Sequence, residues 1–221
     1  MVIKVNGDII PNDLKPIYED FGIASTCPAD VENALAQMPE GDTLEVRINS
    51  GGGDVYAGAE IYSILRARSD VRIEIEGLAA SAASIIAMAG YCTISPLGMV
   101  MIHDVSTGAW GNKAEMQKTA EVLQAHDEAL ANAYVEKTGR SKEEILALMD
   151  KETWLPADKA VELGFVDGIT EPAADGRMAA AFGEMQVTPE MIADYKARQA
   201  AKAARDAEKK ALLDSLEKYG A

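Results

Sequence analysis

Two stretches of alternating residues, each broken at glycine and followed at once by a helical pattern, constrain this chain more than any other feature. Leu44-Glu45-Val46-Arg47-Ile48-Asn49 alternates apolar and polar residues, as a half-buried strand does. It runs into Gly51-Gly52-Gly53-Asp54 and then a helix carrying Ala57, Ile61, Ile64 and Leu65. Val71-Arg72-Ile73-Glu74-Ile75-Glu76 repeats the pattern, feeding Gly77-Leu78-Ala79-Ala80-Ser81-Ala82-Ala83-Ser84 and the apolar run Ile85-Ile86-Ala87-Met88-Ala89. Cys92-Thr93-Ile94-Ser95 and Met99-Val100-Met101-Ile102 read as two further short strands. Strand and helix take turns, which implies α/β architecture with right-handed crossovers and a largely parallel sheet.

The flanks extend this scheme. Met1 to Gly7 alternates as a first strand, and a looser segment with Pro11, Pro16 and Pro28 follows. Asp30 is predicted to cap a short helix through Met38, ended by Pro39-Glu40-Gly41-Asp42. A long helix is predicted from about Lys113 to Lys137, stopped by Gly139, and Ser141-Lys142-Glu143-Glu144 has the pattern of a capping box opening another helix through Met149. Thr153-Trp154-Leu155-Pro156, a helix ending at Glu162-Leu163-Gly164 and a closing strand from Phe165 to Ile169 complete a domain expected over residues 1–170. Residues 171–187 read as an alanine- and glycine-rich linker, open to self-processing between Ala173 and Gly183. Residues 188–221 read as a charged helical tail, starting near Thr188-Pro189-Glu190.

With 221 residues, 48% of them hydrophobic, the chain can bury a core without staples. Its formal charge of -15, from 21 basic and 36 acidic residues, opposes general binding to nucleic acid or an anionic membrane. The start lacks the apolar core of a signal peptide, and no run approaches the ~20 apolar residues that cross a bilayer, so a cytoplasmic location is expected. Cys27 and Cys92 form no C-x-x-C pair, which argues against a zinc site or redox motif and for a reducing compartment.

Candidate chemistry concentrates at the ends of the central strands. Ser81 sits where a strand gives way to a helix, so its side chain lies at a first turn whose backbone N–H groups are free. The N–H of Ala82 there can meet negative charge developing on a carbonyl oxygen. A serine among alanines can also simply cap or pack a helix. There are two histidines. His126 falls inside the long helix beside Gln124, Asp127 and Glu128 and reads as a surface residue, whereas His103 follows Met99 to Ile102 at a strand-to-loop junction and is the better candidate base. Gly51-Gly52-Gly53 is followed by no Gly-Lys-Ser/Thr, so a phosphate loop is disfavoured. Exposure of a backbone N–H to an oxyanion or to an extended peptide fits equally.

In order, Ile48-Asn49-Ser50-Gly51-Gly52-Gly53, Ala57-Gly58, Gly77-Leu78-Ala79-Ala80-Ser81, Val100-Met101-Ile102-His103 and Ala160-Val161-Glu162-Leu163-Gly164-Phe165-Val166-Asp167 resemble the ClpP family of serine peptidases over about residues 1 to 170. The resemblance implies the ClpP/crotonase fold, a spiral of β-β-α units, and homo-oligomers built as seven-membered rings stacked around a chamber. It implies action on polypeptide substrates, with no metal and no organic cofactor. Ser81 then matches the nucleophile and His103 the base, with the N–H groups of Gly53 and Ala82 as oxyanion donors.

The acid matches at Glu152 rather than at an aspartate, with Asp150 as the alternative. A third possibility is that both carboxylates are solvated. Gly51 replaces the usual proline, Ala82-Ala83 replaces the usual methionine-glycine, and the start shows no axial-loop segment. With the charged tail, these departures resemble the phage and prophage branch of head maturation proteases, which cut scaffold and capsid precursors, and the resemblance implies a procapsid as the alternative location. They leave dependence on an ATPase open. Other readings are a housekeeping-type Clp proteolytic subunit working with an ATPase, a crotonase-like acyl-CoA enzyme, and a non-catalytic assembly protein.

Overall fold

In the computed structural model, which describes residues 1–39, 41–171 and 205, both alternating stretches are central strands of one parallel sheet. Strand β1 (Val2–Ile9) leads through a 3-10 turn (Asn12–Leu14) and helix α1 (Lys15–Asp20) to β2 (Ser25–Thr26) and α2 (Pro28–Ala36). Then come β3 (Leu44–Gly53), α3 (Val55–Arg66), β4 (Val71–Ala80), α4 (Ala82–Ala87), β5 (Tyr91–Ile94) and β6 (Met99–Ile102). Helices α5 (Lys113–Thr138) and α6 (Lys142–Asp150), β7 (Thr153–Pro156), α7 (Ala157–Glu162) and β8 (Gly168–Ile169) follow.

The sheet runs β2-β1-β3-β4-β5-β8, with every neighbouring pair parallel. The period of two does the sorting: Leu44, Val46 and Ile48 of β3 and Val71, Ile73 and Ile75 of β4 are buried, while Glu45, Arg47, Arg72 and Glu74 stand on the other face. Ile61 and Leu65 of α3 and Ile85 and Ile86 of α4 pack in the same apolar cluster as those inward residues. A fully buried side chain of this size contributes roughly 1.5–3 kcal/mol.

Strand β4 is long enough to serve two partners, and this positions the site. Its first half, Arg72–Ile75, pairs with β5, and its second half, Leu78–Ala80, pairs with β6. The far edge of β6 carries β7 antiparallel, with Ile102 opposite Thr153. The C-terminal end of β4, the C-terminal end of β6 and the start of β7 therefore meet at one place.

Several boundaries differ from the sequence expectation. Strand β3 continues through Gly51 to Gly53, where the missing side chains hide its alternation. The helix expected from Asp30 starts at Pro28, with Asp30 as the third residue of a capping box on Cys27, whose N–H donates to Asp30 Oδ2 at 3.0 Å. Part of the loose segment after β1 folds as the 3-10 turn and α1. The closing strand shrinks to Gly168–Ile169, because Phe165 N and Val166 N both turn back to Ala160 O. The long helix spans 113–138 with Gly139 in the left-handed conformation at its end, and Ser141 caps α6 through a capping box with Glu144. Among the described residues no helix is long and apolar enough to cross a membrane. The linker after Glu171, its self-processing stretch and the tail lie outside the described residues, Arg205 apart.

Candidate active site

Ser81 caps α4 with φ 53° and ψ −126°, a backbone conformation that costs a non-glycine residue on the order of 1–3 kcal/mol. Its neighbours hold it there. Ser81 N–H donates to Met101 O at 2.9 Å, extending the β4–β6 ladder by one bond. Its carbonyl accepts from Ser84 N at 2.9 Å and from Ser84 Oγ at 2.6 Å. On the other side, Gly52 has φ +97°, and a Cβ there would lie 2.7 Å from both Ala80 O and Ser81 Cβ. Only glycine fits.

Two residues beyond Met101, His103 places Nε2 at 2.8 Å from Ser81 Oγ. The ladder explains the meeting: Ala80 pairs with Met101, so residues just past the two strand ends emerge side by side. Gly53 stands across from them. It pairs with Ile9 of β1, and the next amide, Asp54 N–H, donates to Ile9 O at 2.8 Å. In a parallel ladder successive amides alternate sides, so the Gly53 N–H faces away from β1. A Cβ on Gly53 would collide with Ile9 O at 2.2 Å, so the strands approach this closely only with glycine. Gly53, Ser81, Ala82 and His103 line one cavity of about 60 Å³, floored by Ile85, Leu130, Tyr134 and Met149.

The carboxylates are less settled. The antiparallel ladder ends with Ile102 opposite Thr153, and His103 and Glu152 are the residues next beyond that pair. The backbone of Glu152 is left-handed, with φ 49°, and its exposed carboxylate accepts from Trp154 Nε1 at 3.1 Å. Asp150 is exposed at the end of α6. Among the described residues, the one side-chain hydrogen bond of His103 is to Ser81. The structure thus brings Ser81, His103, Gly53 and Ala82 together and leaves the carboxylates of Glu152 and Asp150 outside hydrogen-bond reach of the imidazole. Asp104, next in the chain, has its carboxyl pushed above the usual carboxylate range, by burial first and then by the charges of Asp127 and Asp150. Asp127 Oδ1 also accepts from Val105 N at 2.6 Å, tying the segment after His103 to α5.

Three features escaped the sequence reading. Ser84 and Tyr134 form a buried hydroxyl pair, 2.7 Å apart, behind Ser81. Their separation along the chain gives no signal, and a serine in an alanine-rich run looks like helix filling. His126, expected at the surface, is half-buried: its Nδ1 donates to Val122 O at 2.8 Å, so its Nε2 accepts from Tyr56 Oη at 2.9 Å. The pair lines a second cavity, of about 300 Å³, which shares Gly53, Val55, Val105 and Ser106 with the first. Both cysteines are buried, and burial pushes the Cys92 thiol up to about 12.

Residues 32–173 match the family model described as Clp protease. The chain is 33% identical over 139 residues to an ATP-dependent Clp protease proteolytic subunit of Bacteroides fragilis, covering 61% of this chain and 67% of that protein. It is 34% identical over 149 residues to proteolytic subunit 3 of Streptomyces coelicolor, covering 66% and 68%. With proteolytic subunit 2 of Rhodococcus jostii it shares 33% identity over 161 residues, covering 70% and 81%.

Proposed function

The chain belongs to the Clp protease family and is a serine peptidase, and from this premise we propose that Ser81 is its nucleophile, His103 its general base, and the N–H groups of Gly53 and Ala82 its oxyanion donors. The supporting observation is the 2.8 Å contact between Ser81 Oγ and His103 Nε2 at a strained turn lined by those two amides. Ser81 Oγ attacks the scissile carbonyl carbon while Nε2 takes its proton, and the carbonyl oxygen becomes an anion held by the amides. The C–N bond then breaks, the proton passes from Nε2 to the leaving amine, and an ester to Ser81 remains. Water adds to that ester with His103 again taking a proton, the C–O bond to Ser81 breaks as Nε2 returns the proton to Oγ, and the acid leaves. For the group that orients His103 we keep Glu152 first, because it and His103 are the residues next beyond the β6–β7 ladder, and Asp150 second.

The substrates proposed are polypeptides, and the active form is a self-assembled ring. Support for assembly comes from α5. Between Lys113 and Ala125 only Thr119 and Leu123 are even half-buried, and Trp110 just before the helix is wholly exposed. A helix projecting this way gains little from its own chain, so a neighbouring subunit is the natural source of packing. The finer assignment is a phage or prophage head maturation protease acting in the cytoplasm or a procapsid without an ATPase. It rests on Gly51, Ala82-Ala83 and the charged tail. The printed names of the relatives favour a second reading, a housekeeping-type subunit served by an ATPase.

Ser81→Ala is expected to abolish peptide cleavage and fluorophosphonate labelling with assembly intact, and labelling that persists in this variant sinks the proposal. Cleavage of scaffold or capsid precursors with no nucleotide present separates the two finer readings. Digestion of whole proteins only when an unfoldase and ATP are added favours the second.

A further inference from the structure

The peptide unit joining Ser81 to Ala82 carries the Ser81 carbonyl oxygen at one end and the Ala82 N–H at the other. In a trans peptide these point in opposite directions within one plane. Whatever holds the carbonyl therefore aims the N–H. Ser84 Oγ lies 2.6 Å from that carbonyl oxygen and 2.7 Å from Tyr134 Oη. The carbonyl has no proton to give, so the single proton of Ser84 goes to it, and Tyr134 must donate to Ser84. The bonds run in one direction, from the Tyr134 hydroxyl through the Ser84 hydroxyl to the Ser81 carbonyl. Tyr134, Ser84 and Ala82 are all buried, so water does not compete for these groups. Burial also holds the Tyr134 phenol well above its ordinary pKa, which keeps it a donor.

We propose that Ser84 and Tyr134 are positioning residues for the oxyanion donor: together they fix the plane of the Ser81–Ala82 peptide and polarise it, so that the Ala82 N–H is aimed and strengthened as a donor to the developing anion. The inference rests on the reading of Ala82 as an oxyanion donor given above. A carbonyl that accepts hydrogen bonds draws electron density from its own amide nitrogen, and chains of such bonds reinforce one another in a low-dielectric interior. The hydroxyls act through the peptide. The Ser84 hydroxyl adds to the backbone bonds that the same carbonyl accepts from Ser84 N at 2.9 Å and Ile85 N at 3.4 Å.

The test uses the full chain and begins with the wild type, whose labelling at Ser81 by a fluorophosphonate is located by mass. Steady-state cleavage of a fluorogenic peptide, its pH profile and the thermal midpoint are then measured for Ser84→Ala and Tyr134→Phe. Removing an oxyanion donor outright costs about 10²–10³ in kcat, and loss of the group that aims it should cost less. Ser84→Ala is expected to lower kcat about 10-fold and Tyr134→Phe about 3-fold, with KM and the pH profile unchanged. Should Ser84→Ala fail to fold because the Tyr134 hydroxyl is left buried and unpaired, the double variant removes that orphan and carries the same expectation as Ser84→Ala. A lowered thermal midpoint with kcat retained within about twofold overturns the inference, since a merely structural hydroxyl pair gives that pattern. No labelling of the wild type at Ser81 overturns the underlying functional reading and this inference with it. Normal labelling with unaffected variants overturns this inference alone.

Discussion

Ser81 and Glu152 are the two non-glycine residues with positive φ among the described residues, and their surroundings could hardly differ more. At Ser81 the strain is held from every side: by Met101 through the backbone, by Gly52 through steric fit, and by Ser84 and Tyr134 through buried hydroxyls. At Glu152 the backbone N–H donates to Met149 O at 2.9 Å, while the carboxylate is exposed and engaged with Trp154. One left-handed turn is built into the core and the other sits at its edge. The proposed nucleophile, base and oxyanion amides are thus set by the fold of a single chain, whereas the proposed acid occupies a turn at the edge of the core.

The contrast breaks most violently at Gly52. Gly52→Ala places a methyl 2.7 Å from Ala80 O and Ser81 Cβ at a φ of +97°. Stability is expected to fall by roughly 2–4 kcal/mol, read from denaturant unfolding, and labelling of Ser81 by about 100-fold or more. Retention of labelling would show that the Ser81 turn is as adaptable as the one at Glu152.

The acid comes next. If Glu152 is the orienting acid, as proposed, Glu152→Gln is expected to lower kcat/KM by about 10–100-fold and Asp150→Asn by less than about twofold. The reverse order in peptide cleavage assays assigns the role to Asp150.

How legible this was in the sequence follows from where each residue stands. Ser81 and His103 were readable because strand ends in an alternating α/β pattern converge, and the β4–β6 pairing is the physical form of that convergence. The parallel sheet was readable from Val46, Ile48, Ile73 and Ile75, which face one way at a period of two. The continuation of β3 through Gly51 to Gly53 was not, since residues without side chains show no alternation. Tyr134 falls inside the predicted long helix, and nothing local in the sequence distinguishes its hydroxyl from a solvated one. The position of Glu152 came from family likeness, while the bond that engages its carboxylate depends on the rotamer of Trp154, which no spacing encodes.

Two smaller effects sharpen the comparison. Asp104, beside His103, has a carboxyl whose pKa is raised in the folded chain, so ionising it on folding is unfavourable and stability declines as pH rises from the unfolded value through the folded one. Asp104→Asn should accordingly raise the thermal midpoint by about 1–3 °C at pH 7, a gain that disappears below about pH 4. A midpoint unchanged at pH 7 would show that the charge is fully solvated. The smallest effect is expected for Glu152→Gly, because the left-handed cost it relieves is matched by the entropy of glycine. Chemical unfolding should then register a change of less than about 1 kcal/mol.

Because the Ser81 amide is itself a rung of the ladder to Met101, hydroxyl and imidazole stand on one seam of backbone. A change that silences the proposed site without unfolding the sheet is therefore expected at its flanks, by turning a carboxylate away, blocking the cleft or tilting an amide.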